Sequence, residues 1–492
     1  MNKNDRQKTR AAIQRRALIR RFAIYAVMGV FVTIFTAITV LISEGYYFNP
    51  SNKQLIKNGL VFVSSKPSGA TVYINGKSEK DTTESRFTLP EGKYDFSVYK
   101  EGYRDWKRSF LLGGSEVVNL NYVLLVPKTL KPKEVAKYSG KVDVVSQSPD
   151  QRWLFVHHED APLSAEIIDI NADTPLQTKL TFAPSVFTAT TDMKTFKVIQ
   201  WSGDNQHILV SVIKDGAQHY IVLNRTDATK AVDITSEFGL ELSDLTLRDA
   251  KFDKYYALDK DRGFRELNLT NKSISAPRFQ KVITYTSADA DRLLFAAEDE
   301  GTDQSSVWVA DKDGKYKVQT TKKQPAADYL IEVASYDGDW YVATGSKADQ
   351  MVSIFKNSYD NIKNAPSTTP RALAKIELQS PDAISFSKTS RFVTVHSGNQ
   401  LVVFDNEFER TYRYDQPVSG GQGFSKVIWM DGARMQLAAN GHQYLLDYDG
   451  INLQDMGEIN VVSPIVFDRN YENFFGTNAD ATALTQTKLL VE

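Results

Sequence analysis

A pattern of strand, small-polar turn and second strand recurs through residues 141–492, and it constrains the fold more than anything else in the chain. Two copies are plain: VVSQSPDQRWLFVHH from Val144 and TYTSADADRLLFAAE from Thr284. Further copies begin near Val198, Leu245, Ile331, Ala383, Lys426 and Val462. Eight copies over residues 141–492 give about 44 residues each. Strands at that spacing predict the four-stranded blades of an eight-bladed β-propeller. Seven blades is the alternative, if residues 245–275 are too degenerate to form one. The last copy offers three strands, and an open edge invites pairing with other chains. Residues 134–139 are therefore expected to supply the missing outer strand and to join the two ends of the ring.

The other strong constraint lies at the start. Residues 22–42 read FAIYAVMGVFVTIFTAITVLI and contain no charge. As a helix this run spans roughly 31 Å, the thickness of a hydrocarbon core. Eight basic side chains precede it against one acid, Asp5, so residues 1–21 carry +7 and the remainder −8, for a net charge of −1. Basic flanks stay cytoplasmic, which sends the bulk of the chain outward. Tyr46, Tyr47 and Phe48 follow at the expected outer interface. A cleaved signal peptide is the alternative, but its apolar region is shorter and ends in a small-residue cleavage site. An acidic folded part argues against nucleic-acid binding. With no cysteine in the chain, disulfides, thiolate metal sites and a Cys nucleophile are excluded.

Between helix and ring lies a smaller unit. Residues 60–65 (LVFVSS) lead through a Pro-Ser-Gly turn into TVYI, then Asn75-Gly76, a hairpin turn in which both residues tolerate positive φ. RFTL, KYDFSVYK, WKRSFLL and VVNLNYVLL follow, with Tyr94, Phe96 and Val98 alternating with polar residues. Six short strands predict a small antiparallel β-sandwich. The pattern S-x-x-P-x-G-A-x-V-Y-I-x-G from Ser64 to Gly76, with L-P-x-G-x-Y at 89–94 and K-x-G-Y at 100–103, resembles the PEGA domain of bacterial and archaeal envelope proteins. Ser68 replaces the Glu of the family motif, and the usual Gly-x-Thr-Pro is reduced to Asp81-Thr82-Thr83. That resemblance implies envelope binding or scaffolding and no catalytic residue. The ring repeats resemble the TolB/WD40-like propeller family through Ser148-Pro149-Asp150 and the later turns Asp311–Gly314 and Asp447–Gly450. A propeller of that family implies no single function.

The organisation expected is thus a basic tail (1–21), a transmembrane helix (22–42), a spacer (43–59), the sandwich (60–125), a Pro/Lys-rich linker (126–134) and the propeller (135–492). The fold class is all-β behind one membrane helix.

Candidate chemistry is sparse. The Asp-x-Asp-Gly turns supply too few oxygens for calcium, and Asp-Gly is a common hairpin turn. His157 and His158 are adjacent in a strand and point to opposite faces, and His207, His219, His396 and His442 are scattered, so no metal and no cofactor is expected. No Gly-x-Ser-x-Gly elbow occurs, and the glycine-rich residues 420–423 lack the Lys-Ser/Thr of a phosphate loop, reading as a connector. The loops between second and third strands hold Glu159 and Asp160, Asp215, Asp259 and Asp261, and Glu298, Asp299, Glu300 and Asp303 in the first four copies. One sector of one face is expected to be acidic and to meet a cationic protein segment or glycan. The expected function is non-catalytic: an extracytoplasmic scaffold at the cell membrane with an envelope protein or glycan as partner. The rival is a glycoside-active propeller using Asp143, Asp249, Glu332 or Asp382 in or near innermost strands. It needs two carboxylates about 5–9 Å apart.

Overall fold

The computed structural model describes residues 3–43, 45–49, 54–172, 174–364, 370–415, 424, 426–460 and 464–490. The chain divides into two compact units, Met1–Leu125 and Val126–Glu492.

The first unit opens with α1 (Lys3–Ser43), one continuous helix of 41 residues. It begins far earlier than the apolar run, because Lys, Arg, Gln and Ala in the basic leader are good helix formers. Residues Leu18–Ser43 are long and apolar enough to cross a membrane, with mean hydropathy 2.3, and the span is not buried in the fold. Two hydroxyls within the span are satisfied inside the helix. Thr33 Oγ1 donates to the Gly29 carbonyl at 2.9 Å and Thr39 Oγ1 to that of Phe35 at 2.8 Å.

Eight strands follow: β1 (Tyr46–Asn49), β2 (Gln54–Lys66), β3 (Thr71–Ile74), β4 (Lys77–Thr82), β5 (Ser85–Pro90), β6 (Gly92–Tyr99), β7 (Trp106–Leu112) and β8 (Val117–Leu124). One sheet runs β1-β2-β5 with β8 also on β2, and the other β4-β3-β6-β7. The spacer expected at 43–59 is thus partly strand, and the expected six strands are eight. β4 escaped the sequence reading because KSEKDT has no apolar alternation; it is an exposed, charged edge. The sandwich is also not wholly antiparallel. After β7 the chain crosses from one sheet to the other, so β8 enters parallel to β2, Leu60 opposite Val117 through Lys66 opposite Leu124.

One face of each sheet supplies the core: Val61 and Val63, Val72 and Ile74, Phe96 and Val98, with Trp106, Leu112 and Leu120. Phe96 stacks on Phe110 with centroids 5.3 Å apart and meets Phe87 edge-on at 6.2 Å. Asn75 and Gly76 have φ of 51° and 78°, the turn their sequence predicts. Gly59 is needed for close packing: a Cβ there would sit 2.7 Å from the Leu112 side chain.

In the second unit, among the described residues, eight four-stranded sheets follow one another. Seven are made of consecutive strands, in blades 1–7 at residues 142–181, 191–233, 242–274, 282–322, 329–377, 383–415 and 426–458. Residues 242–274 form a complete blade, so the seven-bladed alternative falls. The eighth sheet joins Val466–Phe467, Asn473–Thr477 and Ala483–Lys488 to β9 (Pro132–Lys137). β9 pairs antiparallel with the last strand, Lys137 opposite Ala483 and Pro132 opposite Thr487. It starts inside the segment assigned to a linker, two residues before the expected closing strand. The seam is then sealed by side chains. Gln147 Nε2 donates to the Phe467 carbonyl at 2.7 Å, and Val142 and Val145 pack with Val466, Phe475 and Leu484.

The small-polar turns explain the recurring motif. Ser148 Oγ accepts from Trp153 N–H at 2.9 Å, and the Asp150 carboxylate accepts from Arg152 N–H. Ser202 and Asp204 hold the equivalent turn of blade 2, and Ser387 that of blade 6. Gln151, Asn205 and Ser390 sit at φ near +60° in the same place. Each turn uses a serine hydroxyl, joined by a carboxylate in blades 1 and 2, to accept from backbone N–H groups that the strands leave unpaired.

Candidate functional site

Because the blades repeat one strand order, the loops between second and third strands emerge together on one face of the ring. The nine acids assigned to this face behave differently from one another. Asp259 is buried, so it is not part of a contact surface. Its carboxylate accepts from Gly263 N–H at 2.7 Å, Asp261 N–H at 3.0 Å and Arg265 Nε at 2.7 Å. Asp160 accepts from Ser139 N–H at 3.0 Å and also contacts the Ser139 hydroxyl and His158. The bond from Ser139, aided by His158, holds its carboxyl well below the usual range. Glu298 is held low by Arg262 and then Lys323, and Glu300 by Lys281. Asp299 accepts from Ser306 Oγ at 2.7 Å and lies 3.6 Å from Lys317.

Glu159, Asp215, Asp261 and Asp303 remain, exposed and with no ion pair among the described residues. Asp215 has a further constraint: with φ of 52° ahead of Gly216, it is the first residue of a two-residue hairpin turn. The acidic face is therefore four uncompensated carboxylates distributed over blades 1 to 4, within a larger set whose charge is internally paired.

The inner-strand acids are not brought together. Asp143 engages His157 Nδ1 at 2.7 Å, and the other ring nitrogen meets the Pro162 carbonyl at 2.9 Å. His157 is buried and stacked on Phe196, 4.8 Å away, which makes it a core residue. Asp249 lies outside the innermost strand, in the turn that follows it at a left-handed φ of 55°, and pairs with Lys251 at 2.9 Å. Asp382 accepts from Gly398 N–H at 3.1 Å. Glu332 belongs to the innermost strand of blade 5 (Tyr329–Tyr336). Its neighbours Val333 and Ile331 pack with blade 4, so Glu332 turns towards blade 6. Burial pushes its carboxyl up to about 7.

Sequence reasoning missed Asp244, in the innermost strand of blade 3 (Leu242–Leu247). Leu245 and Leu247 pack with blade 2, which turns Asp244 towards blade 4. Burial raises its carboxyl too, and it neighbours the buried Tyr285. The signal that would have found it is an acid between two core leucines of a strand. The two raised carboxyls sit at different blade interfaces.

Among the described residues no group of three or more His, Asp or Glu converges as a metal site. His207, His219 and His442 each pair with a nearby aspartate. His158 lies against Tyr138, with ring centroids 4.5 Å apart. Asp311 accepts from the backbone of Asp313 and Gly314, closing its own hairpin. The glycine-rich residues 420–423 lie outside the described residues.

In the sandwich, the motif residues tie loops to strands. Thr83 Oγ1 receives Ala70 N–H at 3.0 Å and bonds Ser65 Oγ at 2.7 Å, all buried. Tyr94 OH donates to the Pro90 carbonyl at 2.8 Å, and Lys100 Nζ to that of Ser68 at 2.6 Å. Residues 58–126 match the PEGA domain. The PEGA motif residues thus have structural work in this chain, with Thr83 anchoring the turn where the usual Thr-Pro is reduced.

Among curated proteins, none matches the sequence. Several solved structures are similar. The computationally designed Ika8 protein is 10% identical with a TM-score of 0.45, covering 73% of this chain and 100% of its own. Hsv2 of Kluyveromyces lactis is 12% identical with a TM-score of 0.41, covering 71% of this chain and 98% of its own. The β-propeller domain of Cps50 (Swd1) from Myceliophteria thermophila is 7% identical with a TM-score of 0.37, covering 60% of this chain and 97% of its own. The eight-bladed architecture here stands on the strand pairing itself.

Proposed function

We propose that this chain is a membrane-anchored, extracytoplasmic scaffold of the cell envelope, presenting a TolB/WD40-like ring to a cationic protein segment or glycan. The observation that carries the reading is α1: a helix that leaves most of its apolar run exposed and is followed by a PEGA domain at residues 58–126. Such a helix is stable in lipid and costly in water. The basic leader sets its orientation, with the PEGA domain and the ring outside. Binding rather than catalysis is the proposed activity, and Glu159, Asp215, Asp261 and Asp303 are the groups proposed to meet the partner. Charge-complementary contacts of this kind raise encounter rates and weaken with salt.

The test uses the full chain in lipid nanodiscs and a polylysine peptide as probe. Binding is expected, falling steeply with salt, and reversing the four acids to Lys should abolish it. If the reversed protein binds the peptide as before, the acidic face is not the contact surface. Protease shaving of intact cells tests the orientation, with digestion of the ring expected.

A further inference from the structure

The first unit holds a cavity of about 950 Å³ where α1 meets the sandwich. Its apolar wall is Ile38, Leu41 and Ile42 from the last turns of α1, with Leu55 and Leu60 of β2. This volume is that of a site for one sizeable organic ligand. Two features say what kind. The first is position. Ile38 and Ile42 belong to the apolar span that ends at Ser43, so this wall continues the lipid-facing surface of the helix. The cavity therefore opens at the level where the helix leaves the hydrocarbon, beside acyl chains. The second is the polar end. Asn58 lines the cavity, and its Oδ1 is buried without a hydrogen-bond partner among the described residues. A buried acceptor left unmatched is unfavourable, so a donor from a ligand is favoured there. The apolar surface also runs on past the cavity. Val61 and Val63 point into the core, which turns Leu60 and Phe62 outward, and Phe62 is 38% exposed beside the β8 edge, where Val117 is 46% exposed.

We infer that this cavity holds one acyl chain of an outer-leaflet phospholipid, with a headgroup N–H or O–H donating to Asn58. The inference rests on the reading that α1 spans a membrane. The lipid ties the sandwich to the bilayer surface, and Leu60 and Phe62 extend that contact.

The absence of cysteine makes the test direct, since an introduced thiol is the only one in the chain. Full-length Thr88→Cys, at the cavity rim, and Ser78→Cys, on the exposed edge strand β4, are labelled with bimane. Each is reconstituted in vesicles of phosphatidylethanolamine and phosphatidylglycerol with brominated acyl chains. The Thr88 label should lose about half of its fluorescence, as expected for a chain lodged in the cavity, and the Ser78 label almost none. Leu60→Lys in the Thr88→Cys background should bring quenching down to the Ser78 level. Asn58→Leu, which removes the acceptor and keeps the apolar wall, should retain the quenching but lose any preference for phosphatidylethanolamine over phosphatidylcholine. Equal quenching at both labels overturns the inference. So does an oxidant-induced disulfide between copies of the unlabelled Thr88→Cys protein in plain vesicles, which would make a second chain the occupant. Failure of the protein to float with vesicles sinks the membrane reading itself, and that result is seen before any quenching is measured.

Discussion

The PEGA sandwich and the eight-bladed ring are both made of four-stranded sheets, and they part company over where their cores lie. The sandwich has one core, shared by two sheets and centred on Phe96. The ring has separate cores between neighbouring blades, as with Phe155 and Ile167 of blade 1 against Phe196 and Ile208 of blade 2. Losing one side chain from a single core weakens the whole unit. Losing one from a chain of interfaces weakens one joint, while the others still hold. The ring instead concentrates its risk at the seam, where β9 closes the last sheet across some 350 residues of chain.

The seam should give the largest effect. Deleting residues 132–137 leaves the strand Ala483–Lys488 with an unpaired edge and opens the interface between blades 8 and 1. The ring should lose its cooperative thermal transition and associate through the free edge. Calorimetry with light scattering measures both. A ring that melts unchanged would mean that the blade interfaces alone close it.

Next comes the sandwich core. Phe96→Ala should cost about 3–5 kcal/mol. A single small core rarely supplies more than about 3–5 kcal/mol in total, so the sandwich should unfold at ambient temperature. Phe295→Ala in blade 4, equally buried, should lower the ring transition without abolishing it. Equal loss of both units would erase the contrast between one core and many.

A smaller effect is expected at a blade's internal ion pair. Arg391 binds Asp405 through two bonds, at 3.0 and 2.8 Å, and the Asp405 side chain has no exposed surface. Arg391→Met strands a buried carboxylate and should cost about 3 kcal/mol, whereas Arg391→Met with Asp405→Leu should recover most of it. Urea unfolding of the three proteins measures the difference.

These contrasts show which parts of the molecule were legible in the sequence. The blades were, because each turn needs side-chain acceptors at fixed places, and Ser148 with Asp150 or Ser202 with Asp204 leave that need visible in the letters. The hairpin at Asn75-Gly76 was legible for the same local reason. β4 was not, since an edge strand of charged residues buries nothing and shows no alternation. The parallel entry of β8 was not, since it depends on which sheet the chain crosses into after β7. The site was the least legible part. Charge can be counted from sequence, but pairing cannot: Glu298 and Glu300 are matched by Arg262, Lys323 and Lys281 from elsewhere in the fold or from distant loops. Asp244 and Glu332 acquire their character only from the blades that close over them.

Glu332 provides the finest test of the comparison, because it makes the ring respond to pH through one interface. Its carboxyl is raised from 4.5 to about 7 by burial, so the folded state holds the proton more tightly than the unfolded chain. Stability is then fully present below about pH 4.5 and is lost as pH rises through about 7, where the folded group must ionise against its surroundings. Because Glu332 is half-buried, the change should be about 2 kcal/mol rather than the full linkage value. Asp244 is raised by the same cause and adds to the loss with the same sign. Asp204 works in the opposite sense: turn hydrogen bonds outweigh burial and hold it near 2, so its contribution disappears only in strong acid. Between about pH 5 and about pH 8 the urea midpoint of the ring should therefore fall, and Glu332→Gln should flatten most of that slope while leaving the value near pH 5 almost unchanged. A slope that survives the substitution would move the titration to Asp244, at the interface of blades 3 and 4, and away from blades 5 and 6.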